Sequence, residues 1–297
     1  MIHQSLLGFR SARYLWWAVL LCVGSALLYM SPTGLSARSG NTWQGYVLGC
    51  LGLALILWLT ALGIRKRSYG STLGSVQGWA SAHVYLGLAL LVVATLHCAF
   101  DFGWNVHTLA YMLMCAVIGS GVIGVGLYLS LPAMILDNRA GSTRAELFGE
   151  LFDLDGRARK LASGCSPVAA LLVKSSIERT AIGGGLLAQL SGRDRSWMLL
   201  TRSAAGGSVT QLVANTDQQG VIDYISSCLP RAEKRSEVAV LQDLVTVLCR
   251  RQMILRCIRR DVRLNAWLKL WLHLHVPLTL ALLAALVVHA LLTFMYW

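Results

Sequence analysis

Charged residues and prolines are both scarce in this sequence. Asp, Glu, Lys and Arg make up 13% of its 297 residues, whereas a soluble globular domain carries about 25%. Five prolines interrupt a chain that is 56% hydrophobic, and several apolar stretches reach the ~18 residues that a membrane-crossing helix needs. The composition therefore excludes an ordinary soluble domain and predicts a polytopic membrane protein.

Acidic residues are scarcer than basic ones, with 14 Asp and Glu against 26 Lys and Arg and a net charge of +12. In a membrane protein such an excess sets the topology and contacts anionic lipid head groups. No nucleic-acid recognition module accompanies the basic residues. Membrane lipid is therefore an expected partner, and nucleic acid is not.

The eight cysteines lack the spacings of known cofactor motifs. Without C-x-x-C, neither a zinc site nor an iron–sulfur cluster has its usual ligands. Without C-x-x-C-H, ordinary covalent attachment of a c-type haem is excluded. The polar part of the chain has no Ser-His-Asp set, catalytic carboxylate pair or Walker motif, so no catalytic residue is predicted.

Five apolar segments are long enough to be spans. They cover residues 14–30, 43–64, 76–100, 108–131 and 270–297. Basic residues before the first segment and at 65–67 place the N-terminus inside and the C-terminus outside, which predicts a multi-pass protein of the inner (plasma) membrane. Removal of the first segment as a signal peptide is the alternative for that segment.

One polar stretch, residues 132–269, separates the fourth and fifth spans. Between Asp137 and Arg263 it carries 19 basic and 13 acidic residues, and the positive-inside rule makes it cytoplasmic. Apolar periodicity, caps and turn residues predict a mainly helical unit with one small hairpin. The predicted helices cover 142–154, 168–180, 218–228 and a last one from 233 into the fifth span, and the predicted strands cover 197–201 and 208–214. The predicted domains are thus 1–131, 132–269 and 270–297.

Six arginines crowd the end of the polar stretch. They are Arg250, Arg251, Arg256, Arg259, Arg260 and Arg263. Anchoring to lipid head groups is the first interpretation, and an acidic partner surface or haem propionates are the alternatives.

Histidines recur at one spacing in two spans. His275 and His289 lie fourteen residues apart in the last span, and His83 and His97 repeat that separation in the third. Fourteen residues of helix return to within about 40° of the same face and rise about 21 Å. Each span therefore presents two imidazoles on one face at two depths, while His273 faces away. This is the geometry for two haems with bis-imidazole ligation.

The depths of the four histidines predict which of them pair. Both ligand spans run from inside to outside, so His83 pairs with His275 on the inner side and His97 with His289 on the outer side, with the two irons roughly 20 Å apart. The alternative is that membrane histidines are structural hydrogen-bonding groups between helices, although ionisable groups inside lipid usually mark function.

Small residues accompany the histidines. Gly87 lies one turn after His83, and Gly121 belongs to the Gly-Ser-Gly-Val-Ile-Gly run of the fourth span. That run matches G-x-G-x-x-G, but a dinucleotide loop needs a preceding strand, which a membrane helix does not supply. These glycines are expected to permit close approach of a haem or a helix. His107, in the loop before that span, is either a propionate or proton-transfer residue or an ordinary interface residue.

The twin H-x13-H pattern resembles the cytochrome b subunits of quinol–cytochrome c reductases, and the wider class of dihaem b-type membrane cytochromes in respiratory oxidoreductases. This chain has only five spans and a long insertion before the last. The resemblance implies haem b and a quinone or protein redox partner. The spans themselves predict an all-α fold with two haems, in which spans two to five form a four-helix haem-binding core and the first span is peripheral.

The predicted function is transmembrane electron transfer, as the cytochrome b subunit of a respiratory or quinone-linked oxidoreductase complex. Two alternatives remain open: a self-contained transmembrane reductase of a metal ion or quinone, and a non-redox scaffold or sensor with structural histidines.

Overall fold

The computed structural model describes residues 8, 12–31, 42–68, 72, 74–204 and 207–295. It is mostly helical, at 81%, with a small two-stranded antiparallel sheet. His3, most of the predicted first loop, the two central residues of the predicted hairpin turn and the last two residues of the fifth span lie outside the described residues. Two compact units share the chain: Met1–Gly126 with Trp271–Trp297, and Leu127–Leu270.

Five helices among the described residues are long and apolar enough to cross a membrane. They are α1 (Arg13–Met30), α2 (Trp43–Arg67), α3 (Val76–His97), α4 (Val106–Arg139) and α9 (Arg235–Met295). Large apolar side chains stand out from them, including Trp16 at 70% and Phe294 at 84% exposure. Exposed apolar surface on this scale is what lipid covers.

Two helices extend beyond the predicted spans. The helix that contains the predicted fourth span extends past Leu131, since α4 continues through Pro132 and ends only where Ala140 and Gly141 adopt positive φ. Left-handed residues of this kind terminate a helix more firmly than an internal proline does. The prediction that the last helix runs unbroken into the fifth span is confirmed by α9, which also passes through Pro277.

Side-chain caps fix where α2 and α3 begin. Thr42 Oγ1 accepts a hydrogen bond from Gly45 N at 3.2 Å, and Ser75 Oγ accepts one from Gly78 N at 3.1 Å. Each cap satisfies an amide that the first turn would otherwise leave without a partner. The caps therefore define the helical register in which the following side chains are presented.

The buried core of the first unit draws on four helices. Its fully buried members are Ile56, Leu59, Leu90, Met114 and Leu282, which come from α2, α3, α4 and α9. No member of this cluster comes from α1, which packs instead against α3. Four helices thus enclose the interior of this unit, and α1 lies outside it.

The second unit is mainly helical with one hairpin. Between α4 and α9 it contains α5 (Arg144–Ser163), α6 (Pro167–Glu178), α7 (Leu186–Ser191), β1 (Trp197–Ala204), β2 (Gly207–Ala214) and α8 (Gln219–Cys228). The strands pair antiparallel from Trp197 opposite Ala214 to Ala204 opposite Gly207, as predicted. The short helix α7 was not predicted, and α5 ends at Ser163 rather than at residue 154.

The predicted capping box at the start of α5 is confirmed. Glu146 N donates to Thr143 Oγ1 at 3.2 Å, and Thr143 N donates to Glu146 Oε2 at 2.8 Å. Reciprocal bonds of this type stabilise the first turn of a helix. Behind it, Leu147, Leu151 and Leu154 enter the buried core of the unit, so the apolar face of α5 is fixed from its first turn.

Four of the six clustered arginines pair with carboxylates inside the second unit. The pairs are Arg250 with Glu150, Arg251 with Asp155, Arg256 with Asp217 and Arg259 with Asp194. The side chains of Arg251 and Arg259 are only 1% and 15% exposed. Lipid anchoring is therefore the wrong interpretation for those two, because their guanidinium groups neutralise internal carboxylates.

Candidate functional site

The four predicted ligand histidines lie on α3 and α9 of the first unit, and all are half-buried. The ring centroids of His97 and His289 are 6.3 Å apart, with planes inclined at 74°. His83 and His275 lie near enough to interact electrostatically. The ring geometry thus brings His97 and His289 together, whereas His83 and His275 share a predicted depth and an electrostatic interaction; they are here called the outer pair (His97 and His289) and the inner pair (His83 and His275).

Backbone carbonyls of α2 orient both histidines of α3. His83 Nδ1 lies 3.1 Å from Leu59 O, and His97 Nδ1 lies 2.8 Å from Gly45 O. A carbonyl can only accept, so in both rings Nδ1 carries the hydrogen and Nε2 keeps its lone pair. Metal-binding histidines are characteristically held by such a second hydrogen bond, and these two are ready to donate through Nε2.

A serine and a tryptophan hold His275. The Ser120 hydroxyl donates to Val117 O at 2.8 Å, so it accepts from His275 Nδ1 at 2.7 Å. The indole of Trp271 stacks on His275 with centroids 5.3 Å apart and donates from Nε1 to Ser120 O at 2.8 Å. His275 is therefore fixed in tautomer by α4 and in orientation by the preceding turn of α9.

The glycines of α4 make room for these side chains. A Cβ on Gly124 would overlap the Trp271 indole, and a Cβ on Gly121 would lie 3.8 Å from His275 Cε1. Gly87, on α3, has nothing within 4 Å of the position its Cβ would take. Gly124 is thus needed for Trp271 to pack, while the predicted cofactor contacts of Gly87 and Gly121 stay predictions.

Close packing of α2 on α3 surrounds His97. A Cβ on Gly49 would lie 2.7 Å from His97 Cε1, closer than real contacts allow, and Gly45 one turn earlier supplies the carbonyl acceptor. Sequence reasoning missed this pair of glycines. Their four-residue spacing in an apolar helix was the available signal, because small residues at that spacing let helix backbones approach.

A cavity of about 520 Å³ opens beside the outer pair within the first unit. Its walls come from α2, α3, α4 and α9 and are mostly apolar, with His97, His107, His289, Tyr46 and Tyr111 among the polar lining residues. This volume falls within the ~300–1,000 Å³ of typical small-molecule and cofactor sites. The outer pair therefore faces room for a bound group.

His107 joins the outer pair. Its ring centroid is 5.1 Å from that of His97 and 4.8 Å from that of His289, and one ligand nitrogen from each of the three lies within 4.8 Å of the others. Its Nε2 is 3.0 Å from Cys98 Sγ. Neither role considered for His107 from the sequence included this position, which arises because the short loop after α3 turns α4 back against it.

The donor sets can be compared with what a haem requires. Two imidazoles bound on opposite sides of one metal through bonds of about 2.0–2.1 Å have ring centroids roughly 6.4 Å apart. The outer pair, at 6.3 Å, fits this spacing. His107, however, lies beside the line that joins the two rings, within the footprint of a macrocycle. A haem between His97 and His289 would therefore require the His107 side chain to turn aside.

The same side-chain hydrogen bond follows His275 and His289 on α9. Thr279 Oγ1 donates to His275 O, and Thr293 Oγ1 donates to His289 O, each at 2.9 Å. His273 is exposed on the opposite side of the helix from the pair. The two ligand positions of α9 are thus locally alike, and His273 does not join either of them.

Comparisons with protein-family models, with curated proteins and with solved structures give no match for this chain. The interpretation of the site therefore rests on the histidines and on the groups that hold them.

Proposed function

We propose that this chain carries electrons across a membrane through two b-type haems, one at the inner pair and one at the outer pair. In this proposal α2, α3, α4 and α9 form the haem-binding core, and the chain is a dihaem membrane cytochrome of the inner (plasma) membrane. The observation that carries the proposal is the fourteen-residue repeat of histidines on two helices, of which His97 and His289 lie with ring centroids 6.3 Å apart.

The protein groups around each pair are suited to hold a metal rather than to react. His83, His97 and His275 each engage Nδ1 with an oxygen of a neighbouring helix, which leaves Nε2 as a metal donor. A bound haem supplies an iron that gains and loses one electron. With two histidines of the chain to hold each haem, such a site would be suited to carrying electrons rather than to binding a further ligand.

The separation of the two pairs would place one haem near each side of the membrane. Fourteen residues of helix set the two depths about 21 Å apart, and an electron that moves across 100 mV of membrane potential changes energy by about 2.3 kcal/mol. The proposed partners are a quinone or a redox protein of the same respiratory complex, with the second unit on the cytoplasmic side.

An optical spectrum of the purified protein tests the haem content. We expect two haems per chain, released by acidified solvent, with the low-spin reduced spectrum of bis-histidine iron. A colourless preparation from haem-replete cells would contradict the proposal and favour the scaffold or sensor alternative. Redox activity of the single purified chain toward a metal ion or quinone would favour the self-contained reductase.

Reporter fusions test the orientation. Fusions at Gly40 and Trp297 should report the outside, and fusions at Ser68 and Gly207 should report the inside; Gly40 and Trp297 lie outside the described residues. An outside signal at Gly207 would reverse the sides proposed for the two haems.

A further inference from the structure

The outer pair differs from the inner pair because a third imidazole belongs to it. The centroid separations among His97, His107 and His289 are 4.8, 5.1 and 6.3 Å, so the three rings form a compact triangle. Their ligand atoms already lie within 4.8 Å of one another. Three imidazoles around one ion with metal–nitrogen bonds of about 2.0–2.1 Å need only a modest contraction of this arrangement.

Two of the three rings are supported from outside the triangle. His97 is held through Nδ1 by Gly45 O, and its ring lies against α2 in the space that Gly49 leaves without a Cβ. His107 contacts Cys98 Sγ through Nε2, and it interacts electrostatically with Asp101, the only acidic residue of the chain outside 137–263. His97 is therefore held in place, and the interaction of His107 with Asp101 would help to offset the charge of a cation bound at the cluster.

The ligand set indicates which ions the cluster would take. Neutral imidazoles suit zinc, copper, nickel and ferrous iron, and they do not suit magnesium or calcium, which prefer oxygen. Three protein ligands with an adjoining cavity leave a fourth position for water or another small ligand. The chemistry points to one divalent transition-metal ion.

A directly bound ion and a haem would require different positions of the His107 side chain. A directly bound ion needs His107 turned into the triangle, as the structure has it, whereas a macrocycle between His97 and His289 needs that same space. Both would use His97 and His289, so only one of them can occupy the position at a time.

We propose that His97, His107 and His289 form a binding site for one divalent transition-metal ion, which excludes haem from the outer position. The ion site stands on the geometry of the three histidines. Its competition with haem rests on the proposed function.

Cobalt and zinc titrations of the full chain test the ion site. The chain is produced in haem-limited cells, purified in detergent and stripped with a chelator. We expect one Co²⁺ per chain, with visible bands typical of low coordination number, and displacement of Co²⁺ by Zn²⁺. His107→Ala should weaken binding by more than the roughly 10–100-fold that accompanies loss of an outer-shell partner.

Matched variants provide the controls. His83→Ala removes a histidine of the inner pair and His273→Ala removes an exposed one, and both should bind Co²⁺ like the parent chain. His107→Gln gives the same test with a side chain of similar size, should His107→Ala fail to fold. Equal Co²⁺ affinity in the parent and in a folded His107 variant would overturn the proposal.

Haem loading separates this inference from the proposed function. Haem added to the cobalt-loaded chain should release one ion per chain, and His107→Ala should still acquire two haems. A chain that holds two haems but binds no ion when haem-free would end the inference and leave the proposed function intact. A chain that binds one ion through His107 but never acquires haem would contradict the proposed function and leave the ion site intact. Haem loading without release of the ion would refute the competition.

Discussion

Both units of the molecule enclose polar side chains, but they treat them differently. In the second unit, Arg251 is 1% exposed and donates to Asp155, Gln218 and Thr180, so its guanidinium group is shared among internal acceptors. In the first unit, His83 and His97 each engage one ring nitrogen and keep the other available as a donor to a metal. Internal pairing indicates a structural role, and a half-satisfied ring indicates a place for a ligand.

The two units also differ in how many acidic residues they contain. Thirteen of the 14 acidic residues lie between Asp137 and Arg263, where several form ion pairs with arginines. Burial lowers the pKa of the Arg259 guanidinium, and the neighbouring Asp194 opposes that effect. Ions without partners are costly in a low-dielectric interior, so the second unit uses its charges for stability and the first unit largely does without them.

The largest expected effect comes from removing a ligand histidine. His275→Ala or His83→Ala should reduce the haem content from two per chain to one by emptying the inner site, and His97→Ala or His289→Ala should empty the outer site. Because both members of a pair share one iron, a double replacement within a pair should add little. The haem-to-protein ratio and a redox titration measure this.

The control for the ligand variants is His273→Ala, which should retain both haems. If His273→Ala empties a site while His275→Ala does not, the assignment of the ligand face on α9 is wrong.

Breaking a buried ion pair of the second unit should cost stability and leave the haems in place. Asp261 is 2% exposed and pairs with both Arg139 and Arg144. Asp261→Ala leaves these partly exposed arginines without their carboxylate and should lower the free energy of unfolding by about 1.5–3 kcal/mol. Urea-dependent proteolysis of the full chain reports the loss. Loss of haem without a change in proteolysis would show that this buried ion pair serves haem binding rather than the stability of the second unit.

Removing the group that holds His275 should have an intermediate effect. Ser120→Ala deletes the acceptor for His275 Nδ1 and should weaken haem binding at the inner site by about 10–100-fold, as loss of an outer-shell partner does. Ser130→Ala, on the same helix, is the matched control. Site-resolved haem titration should show the outer site unchanged, and equal weakening at both sites would indicate a general disturbance of α4.

The smallest effect is expected at an exposed ion pair. Arg250 and Glu150 are 51% and 36% exposed, and pairs of this kind contribute about 0–1 kcal/mol. Glu150→Ala should therefore change the free energy of unfolding by less than about 1 kcal/mol in the same proteolysis assay. A loss of unfolding free energy as large as that of Asp261→Ala would show that the exposure of an ion pair does not determine its contribution to stability here.

Periodicity and composition were sufficient to predict the helical architecture. Five apolar helices, the capping box at Thr143, the hairpin that begins at Trp197 and the continuous helix into the last span all follow from local patterns. The end of α4 did not, because the apolar run that predicted the span ends at Leu131 whereas the helix continues to Arg139. Local sequence predicts the presence of an element better than its end.

The environment of the histidines could be predicted only in part. Their spacing predicted which face and which depth they share, since both follow from helix geometry. The part played by Ser120, Trp271, Gly49 and His107 depends on how neighbouring helices rotate and pack, which a periodic pattern does not determine. The same limit applies to the arginine cluster, whose carboxylate partners lie far away in the sequence.

The order of the ligands along the chain has a consequence for how the protein is made. His83 and His97 emerge early, but their partners on α9 follow nearly 200 residues later, which a ribosome adding about 5–20 residues per second takes roughly 10–40 s to reach. Throughout that interval the inner pair has His83 alone, and the outer pair has His97 with His107 beside it but not yet His289. In the proposed function, uptake of haem therefore follows synthesis of the last helix, and a ribosome that stalls before residue 275 leaves a chain in which neither pair is complete.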